Sequence, residues 1–97
     1  MSRLERDLVK AVGESAAAAA PGATASLASS RDWSSSLFSG ERLTIEIAAE
    51  ESEAFETWLA HLPEAEFPVR GYFVASADLI ERRAGAALVE FLLVEEN

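Results

Sequence analysis

The sequence predicts an α+β protein in which two helices pack on one face of a four-stranded antiparallel sheet. In two segments, which begin near Ser2 and Ser52, apolar residues recur at the spacing of an amphipathic helix. Four other segments have the extended, β-rich patterns that are typical of strands. The elements follow the order α-β-β-α-β-β. A two-layer α/β sandwich is the simplest arrangement that covers the apolar faces of both helices.

The length of the chain limits it to one domain, residues 1–97. A sequence of 97 residues has room for a single hydrophobic core. Apolar residues make up 49% of the sequence and charged residues 26%, which is the composition of a globular protein and not of a disordered one.

The first helix is predicted from Ser2 to about Ala20. Ser2 and Glu5 have the spacing of a capping box, and Pro21 follows the last helical residue. The apolar stripe consists of Leu4, Leu8, Ala11 and Val12.

A hairpin is predicted after this helix. Residues 23–29 alternate small apolar and hydroxyl side chains and predict a thin edge strand. Residues 30–32 are typical of a turn. The second strand is predicted over residues 35–49, because polar and apolar residues alternate from Arg42 to Ile47. Gly40 within it indicates a bulge or a close backbone approach.

The second half repeats the helix–strand–strand order. Ser52 is the predicted cap of a helix that ends at Pro63 and presents Phe55, Trp58, Leu59 and Leu62 to the core. The third strand is predicted over residues 69–80, and a hairpin loop over 81–85. The fourth strand, residues 86–94, is apolar on both faces apart from Glu90, which favours a central position.

The preferred strand order is 3-4-2-1, a permuted ferredoxin-like arrangement. A right-handed crossover through the second helix that skips one strand produces this order and puts the two most apolar strands in the centre. A meander with the order 1-2-3-4 is the alternative.

Two helices can cover only one face of the sheet, so the other face is expected to be open. With Val89, Phe91 and Leu93 turned to the helices, the fourth strand presents apolar side chains on the open face. A patch of this kind often marks a partner surface. We therefore expect a homodimer, or a docked protein partner, on a surface formed by Arg70, Tyr72, Val74, Leu88, Glu90, Leu92 and Val94.

The charge argues against several classes of partner. The chain has 17 acidic and 8 basic residues and a net charge of −9. Proteins bind phosphate backbones and anionic lipids through lysine and arginine, so neither nucleic acid nor a membrane surface is expected. An RNA-binding sheet face that uses Tyr72 for stacking is the weakest alternative. No apolar run approaches a membrane span, and no export signal is recognisable, so we expect the cytoplasm.

The sequence does not point to catalysis. It has no cysteine and one histidine, His61, and it has no phosphate-binding loop or zinc-protease motif. Ser34, Ser35 and Ser36 lack the setting of a serine nucleophile. The glutamates lack the spacing of a metal-binding loop. No catalytic residue, metal ligand or cofactor is predicted.

One cluster is not explained by burial alone, namely Trp33, Phe38 and Arg42 around Gly40. These residues could support the first hairpin, or they could line a cleft for an anion or a small molecule. The pattern W-S-x-x-x-F-x-G-x-R resembles that of small uncharacterised bacterial proteins. This resemblance covers the chain from about residue 30 onwards. It implies no activity, but it favours the four residues acting as a unit.

Together these observations predict a non-enzymatic, self-associating protein-interaction module. The alternative is a small-molecule or anion-binding protein, or an enzyme, with a cleft near Trp33, Phe38 and Arg42.

Overall fold

A computed structural model describes residues 1–96, and Asn97, the last residue of the predicted domain, lies outside them. The elements are α1 (Arg3–Ala19), β1 (Thr24–Ser34), β2 (Ser39–Ala48), α2 (Glu53–His61), β3 (Tyr72–Arg83) and β4 (Ala86–Glu95). A short 3₁₀ turn, Leu62–Glu64, follows α2. The prediction of an α+β protein with two helices and a four-stranded antiparallel sheet is confirmed.

The helices begin where the sequence predicts. Ser2 caps α1 by accepting a hydrogen bond from the Glu5 amide, and the Glu5 carboxylate accepts one from the Ser2 amide. Ser52 caps α2 in the same way, by accepting from the amide of Phe55. No helix within residues 1–96 combines the length and apolar character that crossing a membrane requires.

The sheet has the order β1-β2-β4-β3, and every neighbouring pair is antiparallel. β4 therefore lies between β2 and β3, and the alternative of a simple meander is wrong. The edges are β1 and β3, while the two strands richest in large apolar residues occupy the centre, as expected.

One hydrophobic core lies between the helices and one face of the sheet. The helices contribute Leu8 and Val12 from α1 and Phe55 from α2, all fully buried. The two central strands contribute alternate residues, namely Leu43, Ile45 and Ile47 from β2, and Ala87, Val89, Phe91 and Leu93 from β4. Because only alternate residues of these strands join the core, the helices cover a single face.

The first hairpin turns later than the sequence predicts. Residues 30–32, expected to form the turn, continue β1, and the chain reverses at residues 35–38. The amide of Ser35 donates to the carbonyl oxygen of Phe38, and the amide of Phe38 donates to the hydroxyl of Ser35. These hydrogen bonds close the turn. Cross-strand pairing in β1 thus extends through residues whose polar composition is typical of a turn.

The first of two bulges in β3 overturns the predicted facing of its first residues. The pairing with β4 shifts between Val74 and Ser76, and again between Leu79 and Glu81. The first bulge moves Tyr72 and Val74 to the helix side, where they pack against the core, and turns Phe73 away from it. The expectation that Tyr72 and Val74 lie on the open face is therefore wrong.

Gly40 is needed because β2 and β4 approach each other closely at this position. A Cβ atom there would overlap the carbonyl oxygen of Leu93, and it would lie 2.9 Å from its carbonyl carbon and 3.1 Å from the Cα of Val94. All three atoms belong to the backbone of the central strand, so no rotamer change can make room for a side chain. The predicted close approach of the backbone at Gly40 is confirmed.

We expect Gly40→Ala to destabilise the protein by about 2 kcal/mol or more, because the added methyl group forces the central strands apart. The matched control is Gly13→Ala in α1, where the new Cβ would make an ordinary 3.5 Å contact with that of Ala25. That variant should gain up to about 1 kcal/mol from helix propensity. Urea unfolding measures both changes, and equal effects would contradict the close approach at Gly40.

Arg82 joins the β3–β4 hairpin to the start of α2. Its guanidinium lies 5.3 Å from the ring centroid of Phe55, and it donates hydrogen bonds to Glu51, Glu56 and the carbonyl oxygen of Ala86. Glu51 also accepts a hydrogen bond from the amide of Gly85. One arginine thus connects two elements that are distant in sequence.

We expect Arg82→Ala to lower the free energy of unfolding by about 1–2 kcal/mol, since it removes several charge-assisted hydrogen bonds and a cation–π contact. For a domain of this size, this corresponds to a Tm about 4–12 °C lower. The neighbouring Arg83 pairs with the exposed carboxylate of Glu81 two residues away. Arg83→Ala should therefore have little effect, and similar Tm losses in the two variants would refute the role of Arg82.

Candidate functional site

The sheet face opposite the helices, here called the open face, is formed by alternate residues of all four strands. Its residues align in rows across β1, β2, β4 and β3. Four of these rows, in that strand order, are Trp33, Gly40, Val94 and Phe73; then Arg31, Arg42, Leu92 and Ser76; then Ser29, Thr44, Glu90 and Asp78; then Ser26, Glu46, Leu88 and Glu81. A surface with apolar and charged rows therefore crosses the whole sheet.

The row that contains Gly40 is the apolar end of this face. Val94 is only 6% exposed, although no helix lies over it. The large side chains of its own row are Trp33 and Phe73. Gly40 contributes no side chain to this row between Trp33 and Val94. Phe73 remains 45% exposed at the edge.

Two like-charged pairs lie side by side near the centre of the open face. Arg31 is directly opposite Arg42 in the β1–β2 pair, and Asp78 is directly opposite Glu90 in the β3–β4 pair. Arg42 donates to Glu90 at 3.2 Å between Nη1 and Oε1, so one member of each pair is neutralised. Within residues 1–96, Arg31 and Asp78 form no ion pair. Like charges in direct cross-strand contact are normally unfavourable.

The seven residues predicted for an interface do not all lie together. Leu88, Glu90, Leu92 and Val94 lie on the open face, as expected from the alternation of β4. Tyr72 and Val74 lie on the helix side. Arg70 precedes β3 in the connector from α2.

Sequence reasoning missed Phe73 and Arg31 as members of the open face. The face on which Phe73 lies could not be predicted, because the alternation of residue types in the sequence does not show where a bulge inserts an extra residue. Arg31 was missed because it was assigned to a turn.

The predicted cluster of Trp33, Phe38 and Arg42 does not form one pocket. Trp33 and Arg42 lie in neighbouring rows of the open face, whereas Phe38 lies in the hairpin turn and is 49% exposed. Within residues 1–96, the cation–π contact found involves Arg82 and Phe55, and not Arg42. Arg42 is instead paired with Glu90. A shared binding cleft for these three side chains is therefore not supported.

A wide depression lies elsewhere, between the start of α1 and the connector that leads into β3. It has a volume of about 960 Å³. Arg3 and Asp7 line one side of it, and Phe67, Arg70 and Tyr72 line the other. Its wide opening and mixed charges do not favour one class of ligand.

Acidic side chains collect on the helix side of the sheet near Tyr72. Burial, followed by the nearby charges of Glu95, Glu41 and Asp32, raises the pKa of the Tyr72 phenol. Burial also raises the pKa of Glu41, and the charges of Glu5 and Asp32 raise it further. This end of the molecule therefore disfavours anions, and no cluster of residues suited to holding a metal ion occurs within the described part of the chain.

Comparison of the chain with protein-family models, with curated proteins and with solved structures finds no match in any of the three. The resemblance in the Trp33–Arg42 segment therefore stays an expectation.

We expect Glu41→Gln to raise the Tm at neutral pH by about 1–2 °C, a small effect because the side chain is partly exposed. The raised pKa means that folding disfavours the ionised form of Glu41. Its cost is thus present at neutral pH, begins to shrink as the pH falls through the folded pKa and is gone below the unfolded pKa, where the two proteins should converge. Glu66→Gln, an equal charge change on an exposed connector residue, controls for net charge. A Tm difference that persists unchanged in acid would contradict this explanation.

Proposed function

We propose that this protein is a non-enzymatic interaction module that associates with a second copy of itself through the open face. The observation that carries the proposal is that β4, a central strand, has large apolar residues on both faces, while the helices cover one face only. Leu88 and Leu92 stay partly exposed in the middle of the open face, and Phe73 is exposed at its edge. A large, flat surface of this kind suits the face of another sheet.

The size of the open face is sufficient for such a dimer. Four strands at about 4.8 Å spacing, each with about ten residues rising about 3.3 Å, cover roughly 600 Å². Two copies would bury about 1,200 Å², the lower end of the range for specific interfaces. We therefore expect a dimer with a dissociation constant in the micromolar range.

The charge of this face also favours a second copy. It carries three arginines, Arg31, Arg42 and Arg83, and four acidic side chains, Glu46, Asp78, Glu81 and Glu90. The face is therefore almost neutral, although the chain has a net charge of −9. Two such faces can approach without the repulsion that the rest of the surface would impose.

The proposal includes assignment to a permuted ferredoxin-like fold. Counted from the β3 edge, the order β1-β2-β4-β3 reads 3-4-2-1, which supports the assignment. An anion- or small-molecule-binding role for Trp33, Phe38 and Arg42 has less support, because the three residues do not share a depression and Arg42 is already paired.

Light scattering coupled to size-exclusion chromatography tests the proposal at about 100 μM protein, well above the expected dissociation constant. The wild type should have the mass of a dimer. Leu92→Gln should weaken the dimer by about tenfold or more, because each copy loses an apolar contact in the interface. The control is Leu79→Gln, which changes a more exposed leucine on the edge strand, paired with core-facing Val89 and so outside the open face.

A monomeric wild type at this concentration would refute the proposal. So would a dimer that Leu79→Gln weakens while folded Leu92→Gln does not. Far-UV circular dichroism verifies that each variant is folded, and Leu88→Gln provides a second substitution on the same face.

A further inference from the structure

The charges of the open face are poorly matched within one copy. Arg31 faces Arg42, and Asp78 faces Glu90, although exchanging one residue of each pair would make both pairs favourable. The ion pair between Arg42 and Glu90 neutralises only the two residues on the central strands. The outer members, Arg31 and Asp78, lie on opposite edge strands and are both exposed. This arrangement needs an explanation that a single copy does not provide.

If two copies stack through their open faces, a two-fold axis can run in two simple directions. An axis parallel to the strands places β1 of one copy over β3 of the other and keeps each row over itself. An axis across the strands places each strand over its own equivalent and reverses the rows. Both directions keep the strands of the two sheets aligned, as in packed β-sandwiches.

Only the first direction matches like rows and keeps Asp78 away from its own equivalent. It puts Trp33 of one copy over Phe73 of the second copy, so that the apolar rows meet. It also puts Arg31 one row from Asp78 of the second copy, a diagonal within the reach of an arginine side chain. The second direction instead places Asp78 against its own equivalent and the apolar row against Thr24, Ala48, Ala86 and Arg83.

We propose that the dimer axis runs parallel to the strands, between β2 and β4, and that Arg31 and Asp78 select the partner by pairing with each other across the interface. This inference depends on the self-association proposed above. The Arg42–Glu90 pair then straddles the axis and meets its symmetry equivalent, which forms a central group of four alternating charges. Two Arg31–Asp78 pairs lie at the rim. In a two-fold interface both pairs form at once.

Charge reversal tests this orientation. Arg31→Asp and Asp78→Arg should each weaken the wild-type dimer by roughly tenfold, because each puts like charges together twice per dimer. Neither variant should lower the Tm of the monomer, since each converts a like-charged cross-strand pair into an opposite-charged one. The double variant Arg31→Asp/Asp78→Arg should regain a dissociation constant within about threefold of the wild type.

Mixing the double variant with the wild type distinguishes the two axis directions. With the axis parallel to the strands, a mixed dimer places arginine against arginine and aspartate against aspartate. Native mass spectrometry of an equimolar mixture should then show mixed dimers well below the statistical half. With the axis across the strands, Asp78 of the wild-type copy would meet the arginine that the Asp78→Arg substitution introduces in the other copy, and mixed dimers would reach or exceed one half.

The two proposals fail in different ways. A wild-type monomer refutes both. A wild-type dimer that Leu92→Gln weakens, but in which the mixed fraction is one half or more, refutes the axis direction and leaves self-association supported. Single variants with unchanged dissociation constants refute the partner-selecting role of Arg31 and Asp78.

Discussion

The structure depends on the pairing of β4 with both β2 and β3. This strand is the last in the sequence but lies between two strands that precede it. Its inward residues, Val89, Phe91 and Leu93, are fully buried and complete the core beneath both helices. β4 forms the hydrogen bonds that connect β2 to β3, so these two strands would not belong to one sheet without it. The close approach at Gly40 lies at the end of β4, and the Arg82 contacts lie at its start.

The same strand explains why the open face is a candidate site. A central strand needs apolar residues inward for the core, but nothing in a two-layer fold requires them outward. Leu88, Leu92 and Val94 nevertheless point away from the helices. Val94 is buried, whereas the two leucines stay partly exposed. One apolar side chain of this strand is therefore buried on the open face within a single copy. The two that stay partly exposed would be covered by the second sheet of the proposed dimer.

The charged contacts differ between the two faces of the sheet. The Arg82 cluster on the helix side pairs arginine with two glutamates and an aromatic ring, as a stabilising contact should. On the open face, by contrast, like charges lie opposite each other at Arg31–Arg42 and Asp78–Glu90. Such pairs cost stability in an isolated sheet. Of these two pairs, the basic one lies toward β1 and the acidic one toward β3, and the proposed dimer would bring their outer members together.

The sequence by itself determined the elements, the caps at Ser2 and Ser52 and the inward residues of β2 and β4, because these follow from local periodicity and hydrogen bonding within a few residues. The tertiary structure decided the rest. Cross-strand pairing extended β1 through its turn-like residues, and bulges in β3 turned Phe73 outward and Tyr72 inward. Neither change has a local signal, since each is decided by hydrogen bonds to a neighbouring strand. The juxtaposition of Arg31 with Arg42, and of Asp78 with Glu90, arises only from that register.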